Sequence, residues 1–159
     1  MKLRIFITAF ITGTVLVFSF VGYAEDMPRT SEIKATVQDD ALNFARCSGI
    51  YAAVSEVHAA TNAPALAKST QEQSNGALIA SAYILYSTGI ILDWKNANTY
   101  AETTASTTKS SYMASFEKPD ANKAISELTD AMKECNKRLE LQEQLIQEVR
   151  IKVYSQNPQ

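Results

Sequence analysis

The chain has 159 residues, with 15 Lys and Arg, 17 Asp and Glu, one His, two Cys and 46% hydrophobic residues. This composition excludes a disordered chain, which needs low hydrophobicity and high net charge, and a small scaffold held by many disulfides. The net charge of −2 gives no basic surface for nucleic acid. One His and two Cys are too few ligands for an ordinary zinc site, so we expect neither metal nor cofactor.

The amino-terminal residues 1–24 have the pattern of a secretion signal. Two basic residues among the first four precede a nearly uninterrupted apolar run over 5–21, and Gly22-Tyr23-Ala24 places small residues at −3 and −1 of a cleavage site. The alternative is an uncleaved anchor, because the run is close to the ~18 residues that can span a bilayer. We expect cleavage, periplasmic or secreted localisation, and a single α-helical domain over 25–159.

The first mature helix is predicted to begin at Thr30 or Ser31 and to end before Pro64, because the residue preceding a proline resists the helical conformation. Asp39-Asp40 is an alternative start. Apolar residues recur with helical spacing. The stripe consists of Ile33, Val37, Ala41, Phe44, Cys47, Tyr51, Val54 and His58, with Leu42, Ile50 and Val57 beside it.

The second helix is predicted to open at the capping box Ser69-Thr70-Gln71-Glu72 and to continue to Leu92. It carries no charged residue between Glu72 and Asp93 and is apolar nearly all round. Such a helix lies centrally, at an oligomer interface or in a membrane. One face holds Leu78, Ala82, Leu85, Gly89 and Leu92, and the other holds Ile79, Tyr83, Tyr86, Ile90 and Ile91.

The third segment follows a predicted break at residues 96–98. Its stretch Thr99–Ser111 contains eight Ser or Thr in 13 residues, which disfavours a helix because short hydroxyl side chains compete for backbone hydrogen bonds. The spacing of its apolar residues nevertheless predicts one. These are Ala97, Ala101, Ala105, Thr108, Tyr112 and Phe116, with Thr108 the polar member.

The last helix is predicted as one element from about residue 120 to 154, roughly 50 Å long. Its stripe alternates spacings of four and three, as in a heptad repeat, and Gln142 is the polar exception. The members are Ala121, Ile125, Leu128, Met132, Cys135, Leu139, Gln142, Ile146, Val149 and Val153.

Cys47 and Cys135 both lie on the stripes of their helices. In an up-down-up-down bundle the first and fourth helices are antiparallel neighbours, and an exported protein meets an oxidising compartment. The sequence therefore predicts an all-α, four-helix up-down-up-down bundle tied by a Cys47–Cys135 disulfide between the first and last mature helices. Two buried free thiols are the alternative.

The chain offers little support for catalysis. His58 is the only possible imidazole base, and Ser55 is an ordinary helical neighbour rather than a nucleophile in a recognisable motif. A haem held by His58 and Met132 is disfavoured, because the predicted register separates them by about 12 Å along the bundle; Met113 is nearer that level. Asp93 is expected to mark the return of the chain to solvent. We expect no enzyme.

The predicted function is therefore binding or protein interaction in the cell envelope, with an envelope protein, a peptide or an apolar ligand as partner. The candidate surface is the second face of the uncharged helix, centred on Tyr83, Tyr86 and Ile90, which would also suit a homodimer. The alternative is that residues 99–111 fold over this face. A different class of function is membrane association, in which the uncharged helix 77–92 inserts into a bilayer.

We predict removal of the signal peptide after Ala24, since the three-part pattern above is what signal peptidase recognises. Amino-terminal sequencing of the exported protein should begin at Glu25. A sequence beginning at Met1 would show that the apolar run is retained as an anchor.

Overall fold

In a computed structural model, residues 30–117 and 119–156 are described, with side chains for 35–117 and 119–151, and every regular element in those ranges is an α-helix. The helices are α1 (Thr30–Ala60), α2 (Pro64–Ser87), α3 (Trp94–Phe116), α4 (Ala121–Asn136) and α5 (Leu139–Gln156). The all-α class is confirmed, and the four-helix bundle is corrected to five helices. The predicted signal peptide at 1–24 lies outside the described residues.

α2 returns along α1. The Ser74 hydroxyl donates to the Ser48 carbonyl oxygen at 2.9 Å, and nearer the connection the Ser55 hydroxyl donates to the Ala67 carbonyl oxygen at 2.8 Å. As the residue number rises along α1, the number of the contacting residue in α2 falls, so the two helices are antiparallel. These hydroxyls satisfy polar groups inside an interface that is otherwise apolar.

The start of α2 differs from the prediction. The helix opens at Pro64, whose fixed φ suits a first helical position, after Asn62 with its positive φ of 58°. Thr70 lies inside the helix, where its hydroxyl donates to the Leu66 and Ala67 carbonyls. The expected capping box is therefore wrong, because a proline signal six residues earlier starts the helix first.

α3 is helical throughout its Ser/Thr-rich stretch, as the apolar spacing predicted. Hydroxyls donate to carbonyls one turn back, including Thr103 to Thr99, Thr107 to Thr103 and Thr108 to Thr104. This bonding within the helix satisfies the groups that would otherwise compete with it. The predicted break at 96–98 is wrong: the chain turns over residues 88–93 instead.

α1 and α3 touch backbone to backbone at Gly49. A Cβ built at Gly49 would overlap the Ala105 carbonyl oxygen and lie 2.7 Å from the Thr108 Cβ. Further along, Lys109 forms an ion pair with Glu56. The three alanines that α3 buries, spaced every four residues, permit this approach; they are Ala97, Ala101 and Ala105.

The predicted disulfide is confirmed. Cys47 and Cys135 are bonded, with their Cα atoms 5.5 Å apart, and both residues are buried. Two polar contacts flank the bond: the Tyr51 hydroxyl donates to the Asn136 side-chain oxygen at 3.0 Å, and the Arg138 guanidinium donates to Asp40 at 3.2 Å. Together they fix the end of α4 against α1.

The prediction of a single long carboxyl-terminal helix is wrong. α4 ends at Asn136 and α5 begins at Leu139, so the chain can leave α1 and continue along α2. There the Gln142 amide donates to the Gln73 carbonyl oxygen at 3.3 Å, and Gln142 is only 7% exposed. The expected stripe is buried at Leu128, Cys135 and Gln142, whereas Ile125 is 51% exposed.

The buried side chains form two clusters along the helices. The larger surrounds the disulfide and contains Phe44, Cys47, Ile50, Tyr51, Ala53, Val54, Ala77, Ala80, Leu128 and Cys135. The other is built from small residues near the turn between α2 and α3, and contains Ala41, Ala45, Ala82, Leu85, Ala97 and Ala101. Ile90 and Ile91 pack against this second cluster, which fixes the turn to the end of the molecule where α1 begins.

We predict that Gly49→Ala destabilises the fold by roughly 1–3 kcal/mol, because the added methyl group meets the α3 backbone and the helices must move apart. Gly76→Ala is the matched control, since a Cβ there meets mainly the end of the flexible Gln142 side chain and alanine favours a helix by up to ~1 kcal/mol. Urea unfolding of both variants measures the difference. Equal stability of the two would contradict the close contact.

Burial raises the pKa of Tyr51 to about 12. In the unfolded chain the phenol ionises near its ordinary value of about 10, so the folded state holds the proton more tightly. The neutral phenol therefore contributes fully to the stability of the fold below pH 10, and this contribution is lost as the pH rises from about 10 to 12.

We therefore predict that wild-type stability falls by about 2–3 kcal/mol more than that of Tyr51→Phe between pH 9 and 12. The phenylalanine variant starts lower at pH 9, because it leaves the Asn136 side-chain oxygen without the phenol donor. Chemical unfolding across this pH range checks both effects. Parallel curves for the two proteins would contradict the shifted titration.

Candidate functional site

The predicted surface residues Tyr83, Tyr86 and Ile90 have different environments. Tyr83 is 6% exposed, and its hydroxyl donates to Glu148 of α5 at 3.1 Å. Tyr86 is 46% exposed, whereas Ile90 is partly buried in the turn after α2. α5 covers Tyr83, so the exposed part of this face begins at Tyr86 and continues into the turn. Whether it serves as an interface stays a prediction.

The turn between α2 and α3 presents a cluster of apolar side chains, which we call the turn patch. Leu92 is 85% exposed and Trp94 is 40% exposed. The rings of Tyr86 and Trp94 pack edge to face, with centroids 5.9 Å apart and planes at 87°. The turn patch consists of Tyr86, Ile90, Ile91, Leu92 and Trp94.

Backbone hydrogen bonds and a helix cap hold this turn in shape. Gly89 has a φ of +70°, which glycine adopts without steric cost, and the Ile91 amide donates to the Leu85 carbonyl oxygen at 3.0 Å. Asp93 caps α3 by accepting from the Asn96 amide at 2.9 Å. The apolar side chains of the patch are therefore displayed by a defined turn.

The turn patch carries almost no charge. Between residues 86 and 100 the charged side chains are Asp93 and Lys95, of opposite sign. The Asp93 carboxylate already accepts a backbone hydrogen bond as the cap, in agreement with its expected position where the chain returns to solvent. A partner of this surface would meet apolar and aromatic groups from a segment that carries no net charge.

The predicted surface, centred on Tyr83, Tyr86 and Ile90, does not include Leu92 and Trp94. The sequence predicts Leu92 on one face of a helix that continues to residue 92, but α2 ends at Ser87. Two signals could have shown this: Gly89, a residue typical of helix ends, and Asp93, a good N-cap residue. Together they mark Ile90–Leu92 as an uncharged turn rather than a last helical turn.

Apart from the turn patch, a concave site lies between α1, the end of α3 and α4. It has a volume of about 230 Å³ and is mostly apolar, with His58 and Thr129 as its polar side chains; the remaining lining residues are Val54, Val57, Phe116, Ile125, Leu128 and Met132. This is smaller than the ~300–1,000 Å³ of typical small-molecule sites.

His58 and Met132 line this same cleft. Shared lining of one cleft does not test the predicted separation of the two residues along the bundle, which stays a prediction. Ile125, predicted at the level of His58, also lines the cleft. Ser55 donates to a backbone carbonyl of α2 instead of pairing with His58.

No protein-family model, curated protein or solved structure matches the chain. Within the described ranges, no helix is long and apolar enough to cross a bilayer. The same residues contain no group of three or more His, Cys, Asp or Glu side chains placed to hold a metal ion. The function is therefore argued from the geometry of the turn patch.

Proposed function

We propose that this protein is an exported helical-bundle protein without catalytic machinery, and that it binds a component of the cell envelope through the turn patch. The observation that carries the proposal is Leu92, 85% exposed in the same capped turn that displays the paired rings of Tyr86 and Trp94. Exposing contiguous apolar groups costs solubility unless a partner covers them, so such patches commonly mark interaction sites.

Two features support export. The first 24 residues have the charged, apolar and small-residue segments of a secretion signal. The Cys47–Cys135 bond also supports export, because disulfides persist mainly in the oxidising compartments that exported proteins reach. The periplasm or the outside of the cell is the location we propose.

The environments of the polar side chains favour binding over catalysis. The Ser55 hydroxyl is engaged by Ala67, and His58 lies in a mostly apolar cleft. Carboxylates such as Glu56 and Asp40 form ion pairs near the surface. A hydrolytic site needs a nucleophile, a base and an orienting group within hydrogen-bond reach of one another. The Ser55 hydroxyl instead bonds to the α2 backbone, and these two carboxylates pair with Lys109 and Arg138.

The burial of α2 disfavours the alternative in which residues 77–92 insert as a helix into a bilayer. Ala77, Ala80 and Leu85 are at most 1% exposed because they pack against the rest of the bundle. Inserting this helix would require breaking that core. Apolar surface available to a membrane, a second copy or another protein is concentrated instead at the end of the helix, in the turn patch.

We predict that Leu92→Asp abolishes retention of the exported protein by the envelope without unfolding it, because the side chain is exposed. Leu66→Asp is the matched control, since Leu66 is 54% exposed near the start of α2, at the end of that helix opposite the turn patch. The full-length gene is expressed in a bacterial host. The exported protein released by osmotic shock is compared with that retained by washed envelopes.

The expected result is retention of wild type and Leu66→Asp, and release of Leu92→Asp. Circular dichroism should show the same helicity in all three proteins. Equal retention of both variants, or release of the wild type, would refute binding through the turn patch. Absence of the protein from every exported fraction would refute export.

A further inference from the structure

The turn patch and the beginning of α1 lie at the same end of the molecule. Ala41 of α1 shares a buried cluster with Leu85 and Ala97, and Ile90 and Ile91 pack against that cluster. From Ala41 the helix continues back to Thr30, about 16 Å further along its axis. The chain before Thr30 is therefore attached at the end that carries the turn patch.

That preceding chain contains the apolar run of residues 5–21. Eight residues, 22–29, link the run to Thr30 and reach at most about 30 Å. Before the predicted cleavage after Ala24, a leader inserted in the membrane would hold the end with the turn patch within that distance of the lipid surface. The opposite end, with the α1–α2 connection, faces away along the helix axis.

The chemistry of the turn patch fits the boundary between lipid headgroups and acyl chains. Trp and Tyr are enriched at that boundary, because their rings are apolar and their N–H and O–H groups still reach water. Trp94 and Tyr86 supply these rings, and Leu92 supplies an aliphatic side chain that projects into solvent. The single Asp93 and Lys95 add no net charge, so attraction to anionic lipid is not needed.

The size of the turn patch disfavours a second copy or another folded protein as its sole partner. Five side chains, of which Ile90 and Ile91 are partly buried, expose an area of a few hundred Å². A stable protein interface needs about 800 Å² on each partner. A lipid surface has no such lower limit, because each inserted side chain adds its own transfer free energy.

We propose that the partner of the turn patch is the surface of a lipid bilayer, into which Leu92 and Trp94 insert at the depth of the headgroups. This inference rests on the binding role proposed above for the same site. The protein would then be a peripheral membrane protein, and the end of the bundle at which α1 begins would contact the membrane.

Trp94 provides a direct probe, because it is the only tryptophan in the chain. The exported, disulfide-bonded protein is titrated with vesicles of phosphatidylcholine alone and of equimolar phosphatidylcholine and phosphatidylglycerol. We expect a blue shift of Trp94 emission with both compositions, and quenching by phosphatidylcholine brominated near the headgroup. Raising the salt concentration should change the affinity less than about threefold, since screening acts on charge.

Leu92→Asp should weaken vesicle binding by roughly tenfold or more, as expected from losing the burial of one leucine side chain. Leu66→Asp should bind as the wild type does. Equal binding by the two variants would overturn the proposal, because it would place the contact outside the turn patch. Binding confined to anionic vesicles and lost at high salt would also overturn it, since it would show attraction by charge.

The remaining outcomes separate this proposal from the proposed function. No spectral change with either vesicle type, with Leu92-dependent retention by envelopes, would overturn the lipid partner and leave the binding role intact, with an envelope protein as partner. A dimer seen by analytical ultracentrifugation and abolished by Leu92→Asp, without vesicle binding, would overturn it in favour of a second copy.

Discussion

The bond between Cys47 and Cys135 determines where the last quarter of the chain lies. It closes a loop with a sequence separation of 88, which in the chain-entropy model stabilises the folded state by roughly 4–5 kcal/mol. α4 is held against α1 at this point, and the helix ends one residue later, at Asn136. α5 then packs on α2 and covers Tyr83, so the bond decides indirectly which part of α2 stays exposed.

Small side chains determine how closely the first three helices approach. Gly49 meets the α3 backbone, and the interior near the turn patch is largely alanine. Close packing of this kind leaves little room for polar groups: the Ser81 hydroxyl is buried without a hydrogen-bond partner among the described residues. Such an interior compensates for its few large side chains by dispersion contacts between backbones. The larger apolar side chains near the turn are not buried in this interior and stay partly or largely exposed to solvent.

Helical class, the course of α1 and the disulfide could be predicted from periodicity and from two cysteines on matching stripes. The break at 137–138 could not, because the heptad spacing from Cys135 to Gln142 continues through it. In the structure, Gln142 lies beside Gly76 and donates to the Gln73 carbonyl oxygen of α2. Nor could the burial of Tyr83 be predicted, since an all-round apolar helix does not encode which face α5 will cover. The position of Leu92 in a turn, by contrast, was signalled by Gly89 and Asp93.

The disulfide also makes the central part of the protein a covalent ring. Residues 47–135 include all of α2 and α3, so the turn patch lies within this ring. Cleavage of the chain by a protease at the exposed turn would open the ring without releasing a fragment. The two pieces would migrate as one molecule until a reductant separated them, and the cysteine pair therefore keeps the molecule in one piece after damage at its most exposed apolar turn.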